Sequence, residues 1–386
     1  MLTPKNGYVN INLYRVNFQR RGKKMQTVKK EKKRSLRALL LILLIVAVIL
    51  IGSTYAWFVS NNNVSISPME VRIESVEGIQ ISVDAINWQP AIDKTALASV
   101  GTPTSSNPKA VNQLVDVMKP VSTIGAVDQT NGQMKMFLGN IITKTYQDVE
   151  TGEKREYYAL TATSQTDVNG DTGHYIAFDM FLKYDGANPT PIYALPGSGV
   201  TFADAASQAK KLEYATRIAF IKEGWVASTA ENAATTVQAK NYVESDNSNC
   251  GIYIWEPNYD LHNTAGTTDA KGQYNITLTE STTAPIPYAG IKTTIDNAND
   301  VHYSDFGSGK KYWTATNGEG YPDFLSKVGI TAQSKVNFDT GIQLFTINPG
   351  ITKIRVYIWI EGQDVDCINE ASGANIKCDL KFTSVI

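Results

Sequence analysis

Asp167, Asn169 and Asp171 put oxygen-bearing side chains at alternate positions of the run DVNGDTG. That is the kind of spacing with which a loop offers ligands to calcium. The glycine of the run, however, falls at the wrong place for an EF-hand loop, and no glutamate closes it. Runs of Asp, Asn and Gly also make ordinary hairpin loops, in which Asp and Asn bond their own backbone. These three residues are therefore a weak calcium candidate, and no other metal or cofactor is expected. His174, His262 and His302 are the only 3 histidines, each on a different segment. An H-E-x-x-H pair, which would put two zinc ligands on one helix face, does not occur. Asp305-Phe306-Gly307 lacks a kinase context, Gly309-Lys310 lacks the leading glycine of a P-loop, and Gly197-Ser198-Gly199 is not a nucleophile elbow. The carboxylates are numerous but scattered. No catalytic constellation emerges, and no enzyme is expected.

Of 3 cysteines, Cys367 and Cys378 flank INEASGANIK and stand where a disulfide would bridge the base of a loop. Two buried thiols are the alternative. Cys250 is left over, as a small buried residue or an intermolecular link.

The elements that must position these residues begin with a charge asymmetry. Net charge is -1, from 36 basic and 37 acidic side chains. Residues 1–37 hold 12 Lys/Arg and only Glu31 as an acid, so the first 37 residues carry +11 and the remainder -12. The near-zero total would by itself argue against a nucleic-acid binder or a polyelectrolyte tail, but it conceals a basic leader joined to an acidic body; no nucleic-acid partner is expected. From Ala38 to Ser60 there is no charge, and Ala38–Ile51 is a Leu/Ile/Val core. A basic stretch, an apolar core and small residues at Thr54 and Ala56 make a secretory signal with a cut before Trp57. An uncleaved membrane-anchoring helix is the alternative, because the uncharged stretch is long enough to span. In both cases the positive charges stay in the cytoplasm and the body after Trp57 is exported. Met25 would itself be a normal start for such a signal. Arg20-Arg21-Gly22 is compatible with a purine-rich ribosome-binding sequence, so residues 1–24 are expected to be a miscalled extension; a long basic region is the alternative. The expected organisation is a leader over 1–37, a signal core over 38–56 and an exported domain over 57–386.

The string IGSTYAWFVSNNNVSI, with Gly52, Thr54, Ala56, Trp57 and Phe58, resembles the signal junction of TasA- and camelysin-type secreted proteins of Gram-positive bacteria. The resemblance covers about residues 33–85. It implies processing by a SipW-type signal peptidase and a jelly-roll β-sandwich. It also implies a structural role, in which the freed segment Trp57–Ile66 adds as a strand to a neighbouring subunit. Trp57, Phe58, Val64 and Ile66 are the candidate donor residues. The rival is that Val64–Ile73 pairs within its own subunit as an ordinary first strand.

Period-two alternation marks the body as mainly β. It runs through Val64/Ile66, Val71/Ile73 and Ile79/Ile81/Val83, with a hairpin expected at Glu77-Gly78. Further strands are expected at 133–138, 156–163, 174–184, 216–222, 251–255, 273–279, 341–346, 353–361 and 377–385, with a hairpin tip at DVETGE. Few short helices are expected. One opens at the capping box Ser228–Glu231, and others cover 202–211 and 323–328. Similar strands on one face explain the echo of YIWE at Tyr253 and YIWIE at Tyr357. The whole reads as one elaborated antiparallel β-sandwich, with the loops at 98–110 and 262–272 as candidate boundaries and an extra lobe near 190–250.

Three functions follow. A secreted or cell-surface structural protein, a biofilm-matrix or fibre subunit that associates with itself, fits the leader and the lack of catalytic residues. It would touch the membrane only through its N-terminal segment. A camelysin-like metalloprotease is disfavoured by the histidines. An anchored carbohydrate-binding or adhesion domain would use Trp225, Trp255, Trp313 or Trp359 as platforms, although tryptophan is mostly buried.

Overall fold

A computed structural model describes residues 70–76, 78–100, 111–147, 154–259, 261–264, 289–291, 325–327, 341–364, 366–368 and 371–384. The chain divides into two compact units, Met1–Ser53 and Thr54–Ile386, and every described residue lies in the second. The protein is mainly β, with antiparallel sheets and few short helices.

Two sheets carry the core. The first contains β1 (Glu70–Val76), β3 (Ala91–Asp93), β8 (Thr190–Ala194), β9 (Gly199–Phe202), β14 (Ile342–Ile347) and β16 (Ile376–Thr383). Its order is β14-β8-β16-β1-β3, with β9 also on β16. The second contains β2 (Ile79–Ser82), β7 (Ile176–Tyr184), β10 (Thr216–Val226), β11 (Gly251–Trp255) and β15 (Gly350–Ile360), in the order β11-β10-β15-β7-β2. Alternate residues of both sheets share one apolar core. Ile192, Phe345, Leu380 and Phe382 of the first meet Phe178, Met180, Phe220, Ile354, Val356 and Ile358 of the second. Burying each such side chain stabilises by roughly 1.5–3 kcal/mol.

The other face of the second sheet is also covered. The ribbon of β4 (Ser122–Val127), β5 (Met134–Gln147) and β6 (Lys154–Gln165) brings Val127, Met134 and Met136 onto Ala177, Ala219, Ile221, Tyr357 and Trp359. Farther along that face, Val237 packs with Phe181, Val226 and Ile351. Every residue of β15 is consequently buried. The residual pair β12 (Ala289–Ile291) and β13 (Leu325–Lys327) is antiparallel.

Several local expectations change. Glu77-Gly78 makes no hairpin: β1 lies in the first sheet and β2 in the second, so the chain crosses between layers there. Gly78 has φ +84, and an added Cβ would stand 2.4 Å from Ser384 Oγ, so the crossing requires glycine. β1 pairs in parallel with β16, Ile73 opposite Leu380, and antiparallel with β3. Among the helices, α1 (Lys94–Ala98) has no counterpart in the expected set; its start is the Asp93 side chain accepting from the Ala96 N–H. Asp204 caps α2 (Ala205–Gln208) in the same way, inside the expected 202–211 segment. The capping box at Ser228 does not form: α3 (Ala233–Gln238) begins after Asn232, whose backbone is left-handed and whose side chain makes no cap. At 323–328, residues Leu325–Lys327 are strand rather than helix. Pairing of Gln147 with Lys154 supports the hairpin at DVETGE, whose tip lies outside the described residues. The strand at 273–279 also lies outside them.

Within 190–226, β8, β9 and β10 belong to the two sheets, and β4 and β5 add a layer over the second sheet. Among the described residues no helix is long and apolar enough to cross a membrane. The Ala38–Ser60 segment lies outside them.

Candidate functional site

The outer face of β15 runs Lys353, Arg355, Tyr357, Trp359 and then Glu361, each with a relative exposure of 3% or less. Buried charge requires partners, and β7 and β10 supply them. Arg355 stands directly opposite Asp179 on β7, and Lys353 opposite Gly224 on β10. The β10 register shifts between Lys222 and Gly224, a bulge that leaves Glu223 as the extra residue beside Lys353.

Arg355 is fully engaged. Nε donates to Asp167 Oδ2 at 2.9 Å, Nη2 to the same oxygen at 2.6 Å and to the Val111 carbonyl at 2.7 Å, and Nη1 to Asp179 Oδ1 at 2.7 Å. Asp167 also accepts from Tyr357 Oη and Tyr175 Oη, both at 2.7 Å. Burial, reinforced by the Asp167 charge, pushes both phenols far above the usual tyrosine range. For Arg355, burial opposes the charge, but Tyr357, Asp167 and Asp179 outweigh it and raise its pKa.

Lys353 is held differently. Nζ donates to the carbonyls of Gln238 at 3.3 Å and Lys240 at 3.1 Å. It lies 3.2 Å from Asp179 Oδ2 and 2.8 Å from Glu223 Oε2. Neither of those oxygens has a hydrogen-bond partner, so the distances are those of ion pairs while the angles are not those of hydrogen bonds. Burial raises the Glu223 carboxyl more than Lys353 lowers it. In Asp179 burial is outweighed by Lys353 and Arg355, and the pKa falls. Two cations, Lys353 and Arg355, thus face the carboxyl groups of Asp167, Asp179 and Glu223.

A second cluster closes one end of the same sheet, where β10 begins and β11 and β15 end. Arg217 pairs with Glu256 at 2.5 Å and with Asp364. His262 Nδ1 lies 2.8 Å from Asp366 Oδ2, and the Asn263 N–H donates to Asp366 Oδ1 at 2.8 Å. Glu361 accepts from Trp359 Nε1 at 3.0 Å and from the Gln363 N–H at 2.9 Å. Burial lifts Glu361 well above the carboxylate range, Asp366 to about 6 and Glu213 to about 7. The His262 pKa is raised because Asp366, with smaller contributions from Asp364 and Glu256, outweighs burial.

The expected site residues scatter. Thr54, Ala56, Trp57, Phe58, Val64 and Ile66 lie outside the described residues, as do His302 and Trp313. Asp167 turns inward to Arg355, whereas Asn169 and Asp171 are exposed. The three candidate calcium ligands are thus not brought together, because the arginine already neutralises the only buried one. Among the described residues no group of three or more His, Cys, Asp or Glu is placed to hold a metal. No disulfide joins Cys367 and Cys378, which are both buried in the main core, and Cys250 is a buried thiol as well. Trp255 and Trp359 are buried, and Trp225 donates from Nε1 to the Pro349 carbonyl at 2.7 Å. The two YIW echoes do not share a face. Trp255 faces the main core, and Trp359 faces the β4–β5 layer.

Sequence reasoning missed Lys353, Arg355, Asp179 and Glu223. Their signal was a lone Asp within IAFDMFLKY and a charged residue at alternate positions of GITKIRVYIWI. The chain matches no family model, no curated protein and no solved structure.

Proposed function

We propose that this is an exported structural protein of the Gram-positive cell surface or matrix, cut before Trp57 by a SipW-type signal peptidase and assembling by β-strand addition. The observation that carries the reading is the leader, with its +11 charge, uncharged core and GSTYAWF junction. An open sheet edge supports it. Among the described residues β14 pairs with β8 alone and β11 with β10 alone, and Tyr253 and Phe345, 5.8 Å between ring centroids, bring these two edges side by side. An extended segment with alternating apolar residues, such as Val64–Ile66, satisfies such an edge by main-chain hydrogen bonding. We read the sandwich as jelly-roll-like, since the chain changes sheets repeatedly, at β1–β2–β3, β7–β8, β9–β10 and β14–β15–β16.

The test is expression of the full chain in a host with that peptidase, followed by N-terminal sequencing and electron microscopy. A Trp57 N-terminus with fibres is expected, and Val64→Asp with Ile66→Asp should abolish the fibres and leave the fold. A folded protein with a free Trp57 N-terminus that stays monomeric at high concentration sinks the proposal.

A further inference from the structure

Three side chains on adjacent strands meet in a buried layer: the Lys353 amine, the Asp179 carboxyl and the Glu223 carboxyl. The geometry points to a self-catalysed modification site, in which Lys353 Nζ and Asp179 Cγ join in an intramolecular amide with Glu223 as the acid–base residue.

The contrast with the neighbouring pair motivates this. Arg355 and Asp167 form a matched set in which the hydrogen bonds are made, the ordinary solution for buried charge. Lys353 Nζ instead stands 3.2 Å from Asp179 Oδ2 without a hydrogen bond to it, which sets the amine beside the carboxyl group it would attack. Its protons are directed to the Gln238 and Lys240 carbonyls. Arg355 Nη1 holds Asp179 Oδ1, the oxygen on which negative charge grows when the carboxyl carbon is attacked. Asp167 and Val111 fix that guanidinium. The β10 bulge aims Glu223 into the site, and its unpartnered Oε2 is 2.8 Å from Nζ.

The step balances without any co-reactant. The proposed step starts from an ammonium on Lys353, a carboxylate on Asp179 and the protonated form of Glu223. A proton first passes from Nζ to Asp179 Oδ2, leaving an amine and an acid. The Nζ lone pair then forms the N–C bond to Cγ, and the C=O electrons move to Oδ1 beside Arg355. Glu223 takes a proton from Nζ with one oxygen and delivers its own to the Oδ2 hydroxyl. The C–O bond breaks, water departs, and Glu223 is again protonated. The product replaces two buried charges by a neutral amide, which removes the desolvation that the ion pair suffers. Because the step removes one cation and one carboxylate together, the net charge of the belt is unchanged and Arg355 and Asp167 keep their pairing.

Intact mass and a peptide map of the denatured, reduced full chain test this. The wild-type mass should fall below the sequence mass by one water, with the peptides carrying Asp179 and Lys353 recovered as one branched species. Lys353→Arg and Glu223→Gln should restore the sequence mass, the latter in a chain whose circular dichroism remains that of the wild type. Asp179→Asn should lose ammonia in place of water. Recovery of Lys353 fully reactive toward an amine reagent in the denatured wild type overturns the proposal, whatever the variants do. A bond mapped to Glu223 overturns the assignment of roles. Retention of the water loss in folded Glu223→Gln overturns the part given to that carboxyl.

Discussion

Glu213 gives this fold an unusual response to pH. It lies in the 3-10 turn Leu212–Ala215 at the start of β10, is 5% exposed, and its Oε2 has no hydrogen-bond partner. Burial, aided by the nearby Asp366 charge and opposed by Lys211, lifts its carboxyl from 4.5 to about 7. A raised folded-state pKa means that the folded chain holds this proton more tightly than the unfolded one. The stabilisation is therefore complete below about pH 4.5 and is lost as pH rises through about 7. At about 1.4 kcal/mol per decade of proton affinity, the loss between about pH 5 and pH 8 comes to about 2–3 kcal/mol. His262, whose pKa is also raised, and Asp366, raised to about 6, act in the same direction. Substituting Glu213 by Gln keeps the shape and removes the titration. In urea denaturation the variant should exceed the wild type at pH 8 by about 2–3 kcal/mol and differ little at pH 5. An equal shift at both pH values, or a wild type whose stability advantage over the variant grows with pH, refutes the reasoning.

Asp167→Ala removes one of the two carboxylates that face Arg355 and the acceptor of two tyrosine hydroxyls, and should cost about 3–5 kcal/mol, read as a lower urea midpoint. The same assay on the wild type should show no stabilisation by added calcium, since Asp167 is already neutralised. Gly350 has φ +129, and a Cβ there would stand 2.3 Å from the Val226 carbonyl, so Gly350→Ala should lose at least about 2 kcal/mol in thermal or urea unfolding. Ile358→Ala opens a cavity between the two sheets and should lose about 2–5 kcal/mol, whereas Ile86→Ala, at 61% exposure, should fall within about 0.5 kcal/mol of wild type.

Strand existence was legible because period-two alternation is a local property. Residues 251–255, 216–222 and 353–361 all fall on or within a residue of observed strands. Helix starts were less legible. The Ser228 box has the right residues, but the chain reaches α3 through a left-handed Asn232, and that path is set by packing Val237 onto Phe181 and Val226. Segment 323–328 carried too few residues to separate a helical from a strand period, and pairing with Ala289–Ile291 decided it.

The site shows the same division. Alternation along β15 determined from sequence alone that Lys353, Arg355, Tyr357, Trp359 and Glu361 share one face. Taken locally, a face of that composition belongs in water, which is why none of these residues stands out in the sequence as a charged site. Only the tertiary structure laid β4, β5, the Asp167 loop and the α3 segment over that face and excluded solvent from it. Once dry, its charges had to find partners, and those came from β7, β10 and the Asp167 loop. Asp179 and Asp167 lie 176 and 188 residues from Arg355 along the chain. Hydrophobic period is written in adjacent residues. Which polar face is buried, and which carboxylate meets which cation, is decided by layers that no short window of sequence contains.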